Sequence, residues 1–214
     1  PEGIVTAIGE GTATITATAG EKTATCTITV SISIVDIEGN QATFHLDGAS
    51  AAQVSQAISE AAQAGVTRFI LTGDSEALGL YDENPFSGIQ IELLDLSGVT
   101  GWQDRDADGL PELPAESFRH TSSSDFSGLQ EVILPQEIQQ LQDYAFYKCS
   151  NLTKITAPGV IRVNSFAFQS CTKLAEVSMP EVTYLGTNAF MSTALQVADF
   201  PKLQTLEGSV FWLC

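Results

Sequence analysis

Positive charge is what this chain has least of. Its 214 residues hold 9 lysines and arginines against 26 aspartates and glutamates, for a net charge of −17. Phosphate backbones are bound by pairing them with cations, so this balance argues against nucleic acid. It argues equally against an anionic membrane surface. No apolar run approaches the ~18 residues that a membrane-spanning helix needs, so no membrane insertion is expected. Histidine is nearly absent, with only His45 and His120. There is no G-x-S-x-G elbow and no oxyanion signature. The stretch from His120 to Asp125 contains Ser, His and Asp, but proximity in sequence does not make a triad. Carboxylate pairs occur throughout so acidic a chain and therefore say nothing about glycoside hydrolysis. The four cysteines form no CxxC and have no histidine nearby, which speaks against zinc. The expectation is a protein that binds rather than one that catalyses. No initiator Met precedes Pro1 and no signal peptide is visible, as expected of a piece of a longer protein.

What is present changes character along the chain. Residues 1–35 alternate Thr with Ala, Ile and Val. Thr12, Thr14, Thr16 and Thr18 fall on one face, and Ala13, Ile15 and Ala17 on the other. Period two with β-branched residues predicts half-buried antiparallel strands. The turn Ala19-Gly20-Glu21-Lys22 joins two of them in a hairpin. The run GIVTAIGEGTATITATAGEKTATCTITV, with its Gly9-Glu10-Gly11-Thr12 corner, resembles the end of a group 2 bacterial Ig-like domain. The resemblance implies part of a β-sandwich in which only about a third of the domain is in hand.

Residues 36–98 predict an α/β cap with irregular first repeats. Asn40–Leu46 reads as a strand. Ser50 opens a helix, with Gln53 three residues on as its capping-box partner. Val54, Ile58, Ala61 and Ala62 share one helical face, and Gly65 closes it. VTRFILTG from Val66 recurs 25 residues on as IELLDLSG from Ile91, two copies of one strand pattern. Residues 99–128, acidic and Ser-rich with two prolines, interrupt the pattern and are expected to be an insertion.

From residue 129 to 214 the chain repeats every 21 to 23 residues, starting at Leu129, Leu152, Leu174 and Leu195. A period in this range is the mark of a leucine-rich-repeat solenoid, in which no unit buries its apolar face alone and stacking creates the core. Each unit has an apolar strand (Leu152, Ile155, Ala157; Leu174, Val177, Met179), then a Pro (Pro135, Pro158, Pro180, Pro201). A second apolar pair follows (Val160 with Val163, Val182 with Leu185, Leu203 with Leu206). An Ala-Phe step closes the unit: Ala145-Phe146, Ala167-Phe168, Ala189-Phe190, with Val210-Phe211 last. Repeat one carries an extra residue after Pro135, and repeat four has Ala198 at the apolar strand position. Cys149, Cys171 and Cys214 share one place after the Phe, with Ser192 read as the third repeat's counterpart. That shared place predicts buried free thiols, because side chains parallel in stacked turns suit a disulfide torsion poorly.

The pattern L-x-x-[IV]-x-x-P-x-[VL]-x-x-[VL]-x-x-x-A-F-x-x-C resembles the BspA-like leucine-rich repeat of bacterial surface proteins. The fold class expected is thus mainly β with some α: a solenoid with an α/β N-terminal cap behind a partial Ig-like hairpin. The resemblance implies an extracellular or bacterial cell-surface location. It also implies adhesion through a protein partner, a host matrix or other surface protein. Two other readings stay open, a carbohydrate-binding accessory of a larger enzyme and a passive spacer. Exposed aromatics would favour sugar, with Trp102, Tyr184 and Trp212 as the candidates.

Two candidate sites emerge. Asp104, Asp106 and Asp108, with Gly109 behind them, form D-x-D-x-D-G, in which alternate carboxylates can converge on a Ca2+ ion. The twelfth position is Ala115 where such loops carry Glu, so Glu112 or Glu116 would substitute. The alternative is a solvated acidic loop. Partner binding would use exposed strand positions (Gln130, Glu131, Thr153, Lys154, Ala175, Glu176, Thr183). Ile161, Arg162 and Tyr184 stand out among them as residue types common at binding hot spots.

Overall fold

Alternating Thr and small apolar residues pair as expected at the start of the chain, but Thr12 to Thr18 are exposed on both faces where half-burial was expected. Strands β1 (Gly11–Ala19) and β2 (Lys22–Val30) are antiparallel, from Ala19 opposite Lys22 to Gly11 opposite Val30. Gly20 turns the hairpin with φ of 63°, a conformation that costs glycine nothing. The computed structural model describes residues 11–30, 33–80, 84–121, 125–126 and 128–214. The Gly9-Glu10 half of the predicted corner lies outside them, as do Ser122 to Ser124. The chain divides into two units, one through Ile34 and one from Val35.

The second unit is mainly β with little helix. Strand β3 (Val35–Glu38) pairs antiparallel with β4 (Gln41–His45). Helix α1 (Ala51–Gln63) then carries the chain over to β5 (Arg68–Asp74), parallel to β4. A parallel pair requires such a crossover. The predicted capping box is formed: Ser50 Oγ accepts from the Gln53 N–H, and Gln53 Oε1 accepts from the Ser50 N–H at 2.9 Å. Val54, Ile58 and Ala61 are buried, and Gly65 follows the helix with φ of 90°. Strand β6 (Leu93–Thr100) lies parallel to β5, so the two copies of the strand pattern are neighbours.

Beyond β6 the repeats build three ladders. Strands β8 (Glu131–Ile133), β10 (Lys154–Thr156) and β12 (Glu176–Ser178) continue the first sheet, in the order β12-β10-β8-β6-β5-β4-β3. Strands β7 (Glu112–Leu113), β9 (Gln140–Leu141), β11 (Arg162–Val163), β13 (Tyr184–Leu185) and β14 (Thr205–Leu206) form a second, all-parallel sheet. The third ladder has no strands. Tyr144, Phe146 and Lys148 donate their N–H groups to the carbonyls of Ser165, Ala167 and Gln169 in the next layer. Phe166, Phe168 and Ser170 repeat this onto Thr187, Ala189 and Met191. Alternate donors must point along one axis, and the backbone achieves this with left-handed residues. Tyr144, Lys148, Phe166, Ser170, Asn188 and Ser192 all have φ between 57° and 63°. Such residues are strained when they are not glycine. Interlayer hydrogen bonds hold them there.

The buried faces converge on a column of rings. Phe118, Phe146, Phe168 and Phe190 stack with centroids 5.0 to 5.2 Å apart and planes within 9°. Phe86, Phe69 and Phe44 prolong the column backwards at 5.9 to 6.3 Å. All seven are fully buried. The small Ala145, Ala167 and Ala189 before Phe146, Phe168 and Phe190 leave room for the rings, as the pattern implies. Cys149 and Cys171 are buried free thiols beside this column, donating to the carbonyls of Phe118 and Phe146 at 2.9 and 3.0 Å. Cys214 donates to the Phe190 carbonyl but is exposed.

Cys214 thus departs from the expected burial, and three further expectations change. The residue three after Phe190 is Thr193, and its buried hydroxyl donates to the Phe190 carbonyl at 3.0 Å. Thr193, not Ser192, therefore takes the thiol's place. Residues 111–120 do not stand apart from the repeats: β7 pairs with β9, and Phe118 stacks on Phe146. Their strand is two residues long, as in the later layers, but Ser117 stands where repeats one to three place Ala before the Phe, which hides the match. The fourth repeat adds β14 to the second sheet but nothing to the first. Gln196 to Asp199 are exposed, because Ala198 offers too little apolar surface where the other repeats place Val or Ile.

Candidate functional site

Because side chains alternate across a strand, the second sheet has a core column and an outer column. Leu113, Leu141, Val163 and Leu185 are buried. Their neighbours Glu112, Gln140, Arg162, Tyr184 and Thr205 lie in register on the other side. Arg162 and Tyr184 are half-buried partners across β11 and β13, with the guanidinium 4.2 Å from the ring centroid. This is a cation–π contact. Arg162 Nε is buried without a hydrogen-bond partner. Ile161 is half-buried just ahead of β11, and its carbonyl accepts from Thr183 and Tyr184.

Gln140 belongs to this column, and the sequence reading passed over it. The extra residue after Pro135 hides the match, since Arg162, Tyr184 and Thr205 each stand four residues after their Pro and Gln140 stands five after its own. Counting back from the Ala-Phe step would have found it. Gln142 and Asn164 make a parallel polar chain: Asn164 Nδ2 donates to Gln142 Oε1 at 2.8 Å. Gln142 Nε2 donates in turn to Asp106 Oδ2 at 2.8 Å and to Glu112 Oε2 at 2.6 Å.

The acidic loop is therefore tied to the edge of this sheet. Asp104, Asp106 and Asp108 are exposed, with one oxygen from each lying within 4.8 Å of the others. The loop is shaped by its own carboxylates. Asp104 accepts from the N–H groups of Asp108 and Gly109 at 3.2 and 2.9 Å, and Asp108 accepts from that of Leu110 at 3.0 Å. Glu112 is 5% exposed and stands outside the carboxylate cluster. Burial pushes its carboxyl above the usual range against the Gln142 bond, and repulsion from the three aspartates adds to that. The Gln142 bond is the main cause holding Asp106 below the usual range, against partial desolvation.

The remaining candidates scatter. Trp102 is buried, its indole donating to the Val99 carbonyl at 3.1 Å, which removes it from any sugar-binding face. Trp212 is exposed. His45 sits by Asp36 at 3.1 Å, and His120 lies 3.4 Å from Asp125. The other ring nitrogen of His45 lies 3.4 Å from the Thr72 hydroxyl, which donates its proton to the Phe44 carbonyl at 3.2 Å and so is held as a structural group. A second, half-buried cluster went unnoticed in the sequence: Arg119 lies over Tyr144 and Tyr147, and the exposed Lys148 over Tyr147, at 5.1 to 5.6 Å.

The parallel ladders share an aromatic column on one side and a polar column on the other. Residues 112–214 match the BspA type leucine rich repeat region, in six copies. Repeats of this type are generally protein-interaction modules rather than enzymes. No curated protein and no solved structure is found to match the chain. No helix among the described residues is long and apolar enough to cross a membrane.

Proposed function

We propose that this chain is a non-enzymatic part of a secreted or cell-surface bacterial protein, with a leucine-rich solenoid that binds a protein partner in adhesion. The partner class is a host matrix protein or another surface protein. In this reading the α/β elements from β3 to β6 cap the solenoid, and the hairpin before them ends a group 2 bacterial Ig-like domain. The outer column of the second sheet is the contact face, with Ile161, Arg162 and Tyr184 at its centre.

One observation carries the choice of face. Arg162 lies over the Tyr184 ring, with a buried Nε–H that finds no acceptor within the described residues. Arg and Tyr are the residue types that dominate binding energy at interfaces. BspA-type repeats are typical of bacterial surface proteins, which supports the location. The test is binding of the full chain to immobilised host matrix proteins, compared with Arg162→Ala and Tyr184→Ala. At a hot spot each substitution should weaken binding by at least about 30-fold, or ~2 kcal/mol. Unaltered affinity in both variants would move the contact face elsewhere.

A further inference from the structure

Most acidic loops on an acidic protein hold nothing, and three exposed aspartates alone would not make a site. The second observation lies on the neighbouring strand. Gln140 is 1% exposed and reaches the cluster, with Nε2 at 3.2 Å from Asp106 Oδ2. Its Oε1 is buried without a hydrogen-bond partner. A buried amide oxygen almost always finds a donor. Here the amide presents its NH2 to the carboxylate and leaves its oxygen unmatched. Turned end for end, the same amide would aim its oxygen at Asp106, which is repulsive unless a cation lies between them.

We infer that Asp104, Asp106 and Asp108, together with the buried Gln140 amide, hold a Ca2+ ion that fastens the loop to the β7–β9 edge. Asp104, Asp106 and Asp108 stand at the first, third and fifth places of a calcium loop, and Gly109, with φ of 91°, stands at the sixth where the chain turns sharply. The seventh place contributes a backbone carbonyl, that of Leu110, and Glu112 falls at the ninth, where a ligand often acts through water. The usual bidentate Glu of the twelfth place is missing, since Ala115 occupies it. Gln140 on the adjacent strand, its amide turned end for end, replaces it with a neutral oxygen. An all-oxygen donor set on a pliable loop favours Ca2+ over Mg2+, which demands a near-ideal octahedron, and over Zn2+, which prefers nitrogen and sulfur. The ion would also offset the carboxylates that gather here around Gln142, which already serves both Asp106 and Glu112.

This inference is independent of the binding face proposed above. Trp102, two residues before Asp104, provides a built-in sensitiser. The full chain is titrated with Tb3+, following luminescence excited through Trp102, and then with Ca2+ in competition and by calorimetry. The expected result is one saturable site, abolished in the Asp106→Asn, Asp108→Asn double variant. In Gln140→Leu the affinity should fall roughly 10- to 100-fold, the usual effect of removing a group that supports a metal. If Gln140→Leu does not fold, Gln140→Glu decides, because a carboxylate there should tighten Ca2+ binding. No saturable binding up to roughly 10 mM Ca2+, beyond even weak extracellular sites, would overturn the inference. So would an affinity unchanged by Gln140→Leu, or by Gln140→Glu where that variant is the one used, since an unspecific acidic patch would not sense Gln140.

Discussion

Replacing Phe168 with Ala removes a ring stacked on both faces. Phe168 is fully buried, 5.2 Å from Phe146 and 5.0 Å from Phe190, with planes 4° and 9° apart. Truncating a buried Phe costs ~3–5 kcal/mol, and each aromatic pair contributes ~0.5–1.5 kcal/mol beyond its buried area. Part of the pair energy is already counted in the truncation series, so about 4–6 kcal/mol is the working figure. In a stack where each layer touches only its neighbours, the loss falls on two interfaces at once. Phe211 gives the contrast. It is only partly buried and stacks on Phe190 at 5.9 Å, so Phe211→Ala should cost about 1–2 kcal/mol. Phe168→Leu keeps most of the apolar area but loses both ring pairs, at about 1–3 kcal/mol. The assay is urea denaturation of the full chain and the three variants, read by tryptophan fluorescence and far-UV dichroism together. The reasoning is refuted if Phe168→Ala destabilises no more than Phe211→Ala. The column would then be a by-product of the repeat and not its energetic axis.

Other consequences follow from the same geometry. A Cβ on Gly159 would lie 1.9 Å from the Gln136 carbonyl oxygen, so Gly159→Ala should force two layers apart. The expected loss is about 1–3 kcal/mol, measured by thermal melting, and an unchanged melting temperature would contradict the packing. Ser170 has φ of 63°. Ser170→Gly should therefore be neutral or stabilising by up to ~1 kcal/mol, and Ser170→Val should destabilise by ~1–2 kcal/mol. Equal effects of the two would show that the left-handed turn is not strained. Cys26 and Cys214 are exposed, and Cys149 and Cys171 buried. An aromatic disulfide reagent should thus titrate two thiols in the native chain and four in denaturant. Burial raises both inner thiols above the ordinary value of 9.0. The native state then keeps protons that the unfolded chain releases. Their contribution is complete below that value and shrinks as pH rises above it, by ~1.4 kcal/mol per unit per thiol. Denaturation midpoints that stay flat from pH 8 to about pH 10 would refute this.

The sequence by itself determined the spacing of the layers and most of their contents. Leu152, Val163 and Phe168 lie where a 22-residue period puts them, because one layer must bury the same positions as the next. Ser50 and Gln53 were legible for a local reason: a helix start needs partners for its free N–H groups, and they stand three residues apart. What only the tertiary structure decided depends on contacts across layers of unequal length. Phe44, Phe69, Phe86 and Phe118 share no period, yet they extend the same ring column. Gln140 can be aligned with Arg162 and Tyr184 by counting back from the Ala-Phe step, but its approach to Asp106, 34 residues away, is decided only in space. The strandless third ladder could not be read either, since left-handed residues at Tyr144, Lys148 and Ser170 follow no residue preference. They are held by carbonyls one layer away. Local chemistry and strict repetition leave marks in sequence, whereas register between unequal turns is settled only when hydrogen bonds and rings meet in space.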